Sequence, residues 1–178
     1  MIPEARLVGD ILCAVVCVVA AVLDVRSRKI PNALTLPPVA VGLLLAGSGG
    51  GYDLAAAATA AALLGGLFAL FAAVGGVGWG DAKLMAAVGA LLGWPLGSWS
   101  IVLYALLYTA LAGGLVALVV ALRKRRLGAA LKGVATMARR RRVDESHSSG
   151  VTIPYALPIA VGALWAIAAR YVPELLLG

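Results

Sequence analysis

The 178-residue chain is 62% hydrophobic and only 13% charged, with a formal net charge of +7. A soluble domain of this length is usually closer to half apolar and a quarter charged. The composition therefore argues against an ordinary soluble domain and predicts an integral membrane protein. Cys13 and Cys17 lie in one apolar run and His147 is the only histidine, so neither a disulfide framework nor a zinc site is predicted.

Six apolar runs approach the roughly 20 residues that a helix needs to cross the hydrocarbon core. They cover residues 7–23, 33–46, 54–77, 82–96, 101–122 and 153–172. The second and fourth runs are short, which suits helices that tilt or are shielded by their neighbours. The sequence predicts an all-α bundle of six transmembrane helices that forms a single membrane-embedded domain over residues 1–178.

The distribution of basic residues predicts the orientation of the bundle. With the N-terminus outside, every one of the 15 Lys and Arg residues except Arg6 and Arg170 lies on the inner side. An excess of Lys and Arg in cytoplasmic loops is the rule for membrane proteins. We therefore expect a multi-pass protein of the cytoplasmic (inner) membrane with both termini outside.

Residues 123–150 form the predicted basic cytoplasmic loop. Apolar residues recur in it at helical spacing, at Leu127, Leu131, Val134 and Met137. This pattern is typical of an interfacial helix that lies on anionic lipids, and the basic segment Arg123 to Arg142 would contact those lipids. The run Arg139 to Arg142 is better explained as an inside-positive anchor than as a nucleic-acid site.

Two aspartates lie at the predicted cytoplasmic edge, because Asp24 ends the first apolar run and Asp81 precedes the fourth. Structural explanations exist for both. Asp81 could cap the N-terminus of the fourth helix, and Asp24 could pair with Arg28 or Lys29.

A catalytic explanation accounts for both aspartates together. Peptide hydrolysis by paired carboxyls needs one carboxylate to activate water and one carboxylic acid to polarise the carbonyl, and two carboxyls about 3 Å apart readily share one proton. Helix dipoles favour Asp81 as the base and Asp24 as the acid. The cations Arg26 and Arg28 act on Asp24 in the opposite direction, so the assignment stays open.

Three segments carry a family resemblance. Gly78-Trp79-Gly80-Asp81-Ala82-Lys83-Leu84 matches the GxGDxKL signature of type IV prepilin peptidases, which are GxGD aspartyl proteases. Asp24-Val-Arg-Ser-Arg-Lys-Ile-Pro-Asn32 resembles the D-x-R-x-x-x-I-P-N segment that follows the first span of the catalytic domain in that family. Ile153-Pro-Tyr-Ala-Leu-Pro158 is similar to the proline-containing start of the family's final helix.

The resemblance implies an endopeptidase that removes the basic leader of prepilin-like or pseudopilin substrates at the cytoplasmic membrane edge, without metal or other cofactor. Asp24 and Asp81 would be catalytic. The residues that would shape the site or bind substrate are Gly78, Gly80, Lys83, Pro31 and Asn32. Lys83 equally fits an interfacial anchor.

The chain starts directly at the first span and lacks a CxxC motif. It therefore resembles the short forms that serve Flp/Tad-type pili, and N-methyltransferase activity is not expected. Two other functions are alternatives to peptide hydrolysis. A small proton- or ion-coupled transporter would use the aspartates for ion binding or proton relay. A structural scaffold of a secretion apparatus would not need them.

Overall fold

The computed structural model describes residues 2–95, 97–123 and 155–172, and this part of the chain forms six helices. They are α1 (Ile2–Ser27), α2 (Asn32–Ser48), α3 (Gly51–Ala73), α4 (Trp79–Leu92), α5 (Trp99–Arg123) and α6 (Ala156–Tyr171). The prediction of an all-helical protein is confirmed for these residues. The predicted interfacial helix, the Arg139 to Arg142 run and His147 lie outside them.

Three helical stretches are long and apolar enough to cross a membrane: Glu4–Ser27, Gly51–Ala73 and Trp99–Val119. Their outward surfaces carry large apolar side chains such as Ile11, Leu70 and Leu115, each more than half exposed. Exposure of such surfaces to water is unfavourable, whereas contact with lipid is not. The chain is therefore a membrane protein. The helices α2, α4 and α6 have 17, 14 and 16 residues, so the six-span topology stays a prediction.

Contacts between helix ends show which ends of α1, α2, α4 and α6 share an edge of the bundle. Asp24 at the end of α1 meets Ala156 at the start of α6, and Asp10 near the start of α1 meets Arg170 near the end of α6. The first turns of α2 and α4 also meet, through Asn32 and Lys83. One edge of the bundle therefore collects the end of α1 and the starts of α2, α4 and α6.

The helix α4 is the most enclosed of the six and packs on α1, α2, α3 and α6. Small residues let α3 approach it closely. A Cβ built on Gly89 would lie 2.5 Å from the carbonyl oxygen of Ala60, and one on Gly65 would lie 2.7 Å from the Cβ of Ala86. Such close approach is what small residues permit where lipid drives no hydrophobic packing. Because its neighbours shield it, a 14-residue helix need not match the bilayer thickness.

The boundaries of the third and fourth helices differ from the sequence prediction. The fourth helix begins at Trp79, not at residue 82, and ends at Leu92. Asp81 and Lys83 therefore lie in the first turns of α4, whereas the apolar run had placed Asp81 before the helix. The third helix ends at Ala73, and the glycine-rich segment 74–78 forms the connection to α4. Apolar composition alone could not separate that connection from the helix.

Candidate active site

Asp24 lies in the last turns of α1, with only 9% of its surface exposed. Its Oδ2 accepts a hydrogen bond of 3.2 Å from the backbone N–H of Ala156, at the start of α6. No ion pair within the described residues joins Asp24 to Arg28 or Lys29. The simple structural explanation for Asp24, a local pair one helical turn away, is therefore not what the fold shows.

Asp81 lies in the first turn of α4 and is 6% exposed. Its Oδ2 accepts a hydrogen bond of 3.0 Å from the backbone N–H of Gly78, the residue that precedes the helix. This contact is one half of a capping box and helps to satisfy the helix start. The other oxygen, Oδ1, is buried and has no partner among the described residues. Capping therefore accounts for only one of the two oxygens.

Both aspartates line one open groove with a volume of about 710 Å³. Its walls come from the end of α1, the α1–α2 connection and the start of α4. The other residues that line it are Leu23, Ser27, Arg28, Lys29, Ile30, Pro31, Asn32, Gly78, Trp79 and Gly80. Two segments that lie far apart in the sequence thus form a single site.

The environment of Asp81 changes its acidity. Asp81 lies in the first turn of α4, before the apolar part of the helix. The pKa of Asp81 is raised to about 6, because burial and, to a smaller extent, the negative charge of Asp24 raise it more than the hydrogen bond from Gly78 lowers it. Burial and like charge both disfavour a carboxylate. The dipole argument used for the sequence favoured Asp81 as an anion, but burial outweighs that effect here.

The five site-shaping residues predicted from the sequence divide into two groups. Pro31, Asn32, Gly78 and Gly80 line the groove. Lys83 does not line it. Instead, the Nζ atom of Lys83 donates a hydrogen bond of 2.7 Å to Oδ1 of Asn32. This contact joins the two motif segments directly, so the structure gives Lys83 a specific partner, and its role as an interfacial anchor stays a prediction.

The glycines of the signature allow close approach of the chain around Asp81. A Cβ on Gly80 would lie 3.0 Å from the Cβ of Ile30, which is tighter than nearly all real contacts. A Cβ on Gly78 would lie 3.1 Å from Oδ2 of Asp81, the atom that its own N–H binds. Side chains at these positions would push the α1–α2 connection or the Asp81 carboxyl away.

One contributor was missed from the sequence, namely the N–H of Ala156. It belongs to the segment Ile153 to Pro158, which resembles the start of the family's last helix. That resemblance could have indicated that α6 begins at the site. It could not indicate that a backbone N–H of its first turn binds Asp24, since this depends on how α6 packs against α1.

These features define a membrane protein of apolar helices that brings two buried carboxyls to one groove at its edge. The sequence model of the type IV leader peptidase family matches residues 11–118, a range that includes both aspartate segments. The chain belongs to this family.

A prepilin leader peptidase/N-methyltransferase of Klebsiella pneumoniae is 34% identical to this chain over 102 residues. The aligned part covers 53% of this chain and 44% of that protein. The match thus spans less than half of the relative's length. No solved structure matches the chain.

Proposed function

We propose that this chain is an aspartyl endopeptidase that removes the leader of prepilin-like or pseudopilin proteins. The expected substrate has a basic leader followed by a hydrophobic helix, with the cleaved bond between them. The supporting observations are membership in the type IV leader peptidase family and the similarity to the Klebsiella protein. The N-methyltransferase activity in that protein's name is not part of the proposal.

The observation that carries the proposal is the meeting of Asp24 and Asp81 on one groove. The two carboxyls influence each other, since the charge of Asp24 raises the pKa of Asp81. Both lie at helix ends and not halfway along a long apolar helix. A transporter would place such charges near the bilayer midplane, so the geometry supports hydrolysis at the membrane edge more than ion transport.

In the proposed reaction, one carboxylate takes a proton from water while the water oxygen attacks the carbonyl carbon of the peptide bond. The other carboxyl, which is protonated, gives its proton to the carbonyl oxygen. The tetrahedral intermediate then collapses: one of its hydroxyl groups returns a proton to the second carboxyl, the C–N bond breaks, and the leaving nitrogen receives a proton from the first carboxyl. Neither a metal nor an organic cofactor is required by this sequence of steps.

We assign the proton donor to Asp81 and the base to Asp24. Burial keeps Asp81 protonated up to about pH 6. The carboxyl of Asp24, in α1, accepts a hydrogen bond from the N–H of Ala156 and so lies next to the N-terminus of α6. The positive end of the α6 dipole favours a negative charge there. This assignment is the reverse of the one that the dipoles of α1 and α4 alone suggested.

The proposed placement puts the groove at the cytoplasmic edge of the inner membrane, with six spans and both termini outside. The basic residues Arg26, Arg28, Lys29 and Lys83 all lie at this edge of the described structure. At the opposite edge, Arg170 is neutralised by Asp10. This distribution agrees with the inside-positive bias.

The test is co-expression of the chain with a prepilin from the same genome, followed by detection of the shortened product on a gel. Asp24→Asn and Asp81→Asn should each abolish leader removal. Asp53→Asn is the matched control, because Asp53 is also buried but lies at the start of α3, at the opposite edge. Normal processing by the Asp24 and Asp81 variants would refute the catalytic assignment.

A further inference from the structure

A second groove lies between α3 and α5, on the same half of the bundle as the aspartates. Its volume is about 460 Å³. Phe68 and Phe71 line it from α3, Ala110 and Gly114 from α5, and Val77 and Tyr155 close the end nearest the aspartates. The groove exists because α3 packs mainly on α4 and α5 packs mainly on α6, so the two helices diverge.

The walls of this groove suit an apolar helix. Both α3 and α5 are long and apolar enough to cross the membrane, so a bilayer around the bundle would also surround the groove between them. The α5 wall presents small residues, Ala110, Gly113, Gly114 and Ala117. A Cβ built on Gly114 would meet no atom within 4 Å, so this part of the wall is open. Small residues allow another helix backbone to come close in a membrane.

The apolar groove adjoins the aspartate site at two points along the chain. Gly76 and Val77 line the apolar groove, and the next residue, Gly78, lines the aspartate groove and donates its N–H to Asp81. Tyr155 lines the apolar groove, and the next residue, Ala156, donates its N–H to Asp24. The end of the apolar groove therefore lies next to the two aspartates.

The two grooves differ in character. The aspartate groove is rimmed by Ser27, Arg28, Lys29 and Asn32, and the apolar groove is lined almost entirely by aliphatic and aromatic side chains. An occupant of both must be polar where it meets the aspartates and apolar immediately beyond. A second copy of a helix of this chain would match only the apolar half.

We propose that the groove between α3 and α5 binds the hydrophobic helix of the substrate, and so positions the bond that precedes this helix at Asp24 and Asp81. The inference rests on the proposed peptidase function and adds the surface that recognises the membrane part of the substrate. Binding here would select substrates whose apolar helix starts next to the cleavage site.

The first test compares two leucine substitutions at glycines with open surroundings. Gly114→Leu fills the groove, and Gly66→Leu places the same side chain on α3, where Gly66 lies outside the groove and its Cβ would also meet no atom within 4 Å. Two purified substrates are cleaved: a prepilin with its whole apolar helix, and a peptide that ends a few residues after the cleaved bond.

Gly114→Leu should lower the ratio of the cleavage rates, prepilin over peptide, by about tenfold, a common effect of overfilling an apolar contact. Gly66→Leu should leave the ratio at the wild-type value. An unchanged ratio in Gly114→Leu, or equal loss on both substrates, would overturn the groove assignment. Failure of the wild-type enzyme to cleave either substrate would instead refute the peptidase function.

The second test measures binding without cleavage. In an Asp81→Asn background, Ala117→Cys in the groove and Leu63→Cys on the outer surface of α3 are each combined with a prepilin that carries one cysteine in the first turns of its helix. Cys13 and Cys17 are 1% and 0% exposed, so they give little background. Crosslinking to the prepilin is expected at position 117 only. Equal crosslinking at 63, or a dimer of the enzyme through 117 in place of a substrate adduct, would contradict the proposal.

Discussion

Arg170 and Asp10 form a buried ion pair in which Nη1 of Arg170 lies 2.6 Å from Oδ1 of Asp10. The hydroxyl of Tyr171 donates to the other carboxyl oxygen at 2.8 Å, and Nη2 of Arg170 donates to the carbonyl oxygen of Leu92 at 3.1 Å. This cluster joins α1, α4 and α6 at the edge opposite the aspartate groove. Since Ala156 binds Asp24 at the other end of the same helix pair, α1 and α6 are held at both ends.

Arg170→Met should destabilise the protein by about 3–5 kcal/mol, because it leaves the Asp10 carboxylate buried without its cation. The double variant Asp10→Leu with Arg170→Met should recover much of this loss, since an apolar pair removes the unpaired charge. The measurement is SDS-induced unfolding in detergent micelles, followed by circular dichroism. Equal stability of wild type and Arg170→Met would show that the pair contributes nothing.

The contacts of Asp10 with Arg170 and Tyr171 could not be predicted from the sequence. Apolar run length predicted the six helices found in the described residues, since a bilayer fixes how long a spanning helix must be. It also placed Asp24 and Asp81 at one edge, because each interrupts or ends such a run. Neither run length nor charge distribution, however, predicts a partner for Asp10 inside the first run, and they place Arg170 only on the outer side.

A charged residue inside an apolar run needs a partner, so Asp10 alone was a signal that a cation would approach it. Which cation does so depends on the antiparallel packing of α1 and α6. The same holds for the N–H of Ala156 at Asp24 and for the Lys83 contact with Asn32. Pairings between helices are properties of the packed bundle, and run length and charge counts carry no information on them.

Gly80→Ala should strongly lower leader removal. The added methyl group would lie 3.0 Å from the Cβ of Ile30, so either the α1–α2 connection or the start of α4 must move, and Asp81 follows directly in the chain. Misplacement by about 1 Å can cost a hundredfold in rate. The measurement is the initial rate of prepilin cleavage by the purified variant.

Gly47→Ala is the control for this substitution. Gly47 lies in α2 towards the opposite edge, and a Cβ there would meet no atom within 4 Å. Alanine should raise helix stability there by roughly 0.5–1 kcal/mol and leave cleavage at the wild-type rate. If Gly80→Ala cleaves as fast as Gly47→Ala, close approach of Ile30 is not needed at the site.

Lys83 and Asn32 should be energetically coupled. Lys83→Met and Asn32→Leu each break the hydrogen bond of 2.7 Å between the two motif segments. The bond is exposed, so each variant should lose at most about 1 kcal/mol of stability. The double variant should lose clearly less than the sum of both, as for two residues that contact each other. If the two losses simply add, the contact does not join the segments energetically.

The free energy of unfolding should fall as the pH rises from about 4 to about 6. The pKa of Asp81 rises from 3.8 to about 6 in the folded protein, so the folded state binds more protons than the unfolded state in this range, and each rise in pH favours unfolding. A shift of this size corresponds to roughly 3 kcal/mol. Above pH 6 this contribution is constant.

Asp81→Asn cannot titrate at this position, so its stability should lack this decline. The measurement is unfolding in micelles between pH 4 and pH 7 for wild type and variant. The same slope in both proteins would mean that another group, and not Asp81, loses its proton in this range.

The pH dependence of cleavage tests whether the aspartate pair must hold a proton. If Asp81 gives its proton to the carbonyl oxygen, the active fraction of the free enzyme declines above the pKa of about 6. The value of kcat/KM should then fall about tenfold per pH unit on the alkaline side. If no protonated carboxyl were needed, kcat/KM would not decline above pH 6.

The profile is measured with a peptide substrate without histidine, so that no substrate group titrates near pH 6. Asp53→Asn should show the same profile as wild type, because Asp53 lies at the start of α3, at the opposite edge. The two carboxyls interact, so the apparent pKa belongs to the pair. The limb near pH 6 therefore tests whether the pair must hold one proton, and a rate that rises through pH 6 would contradict that requirement.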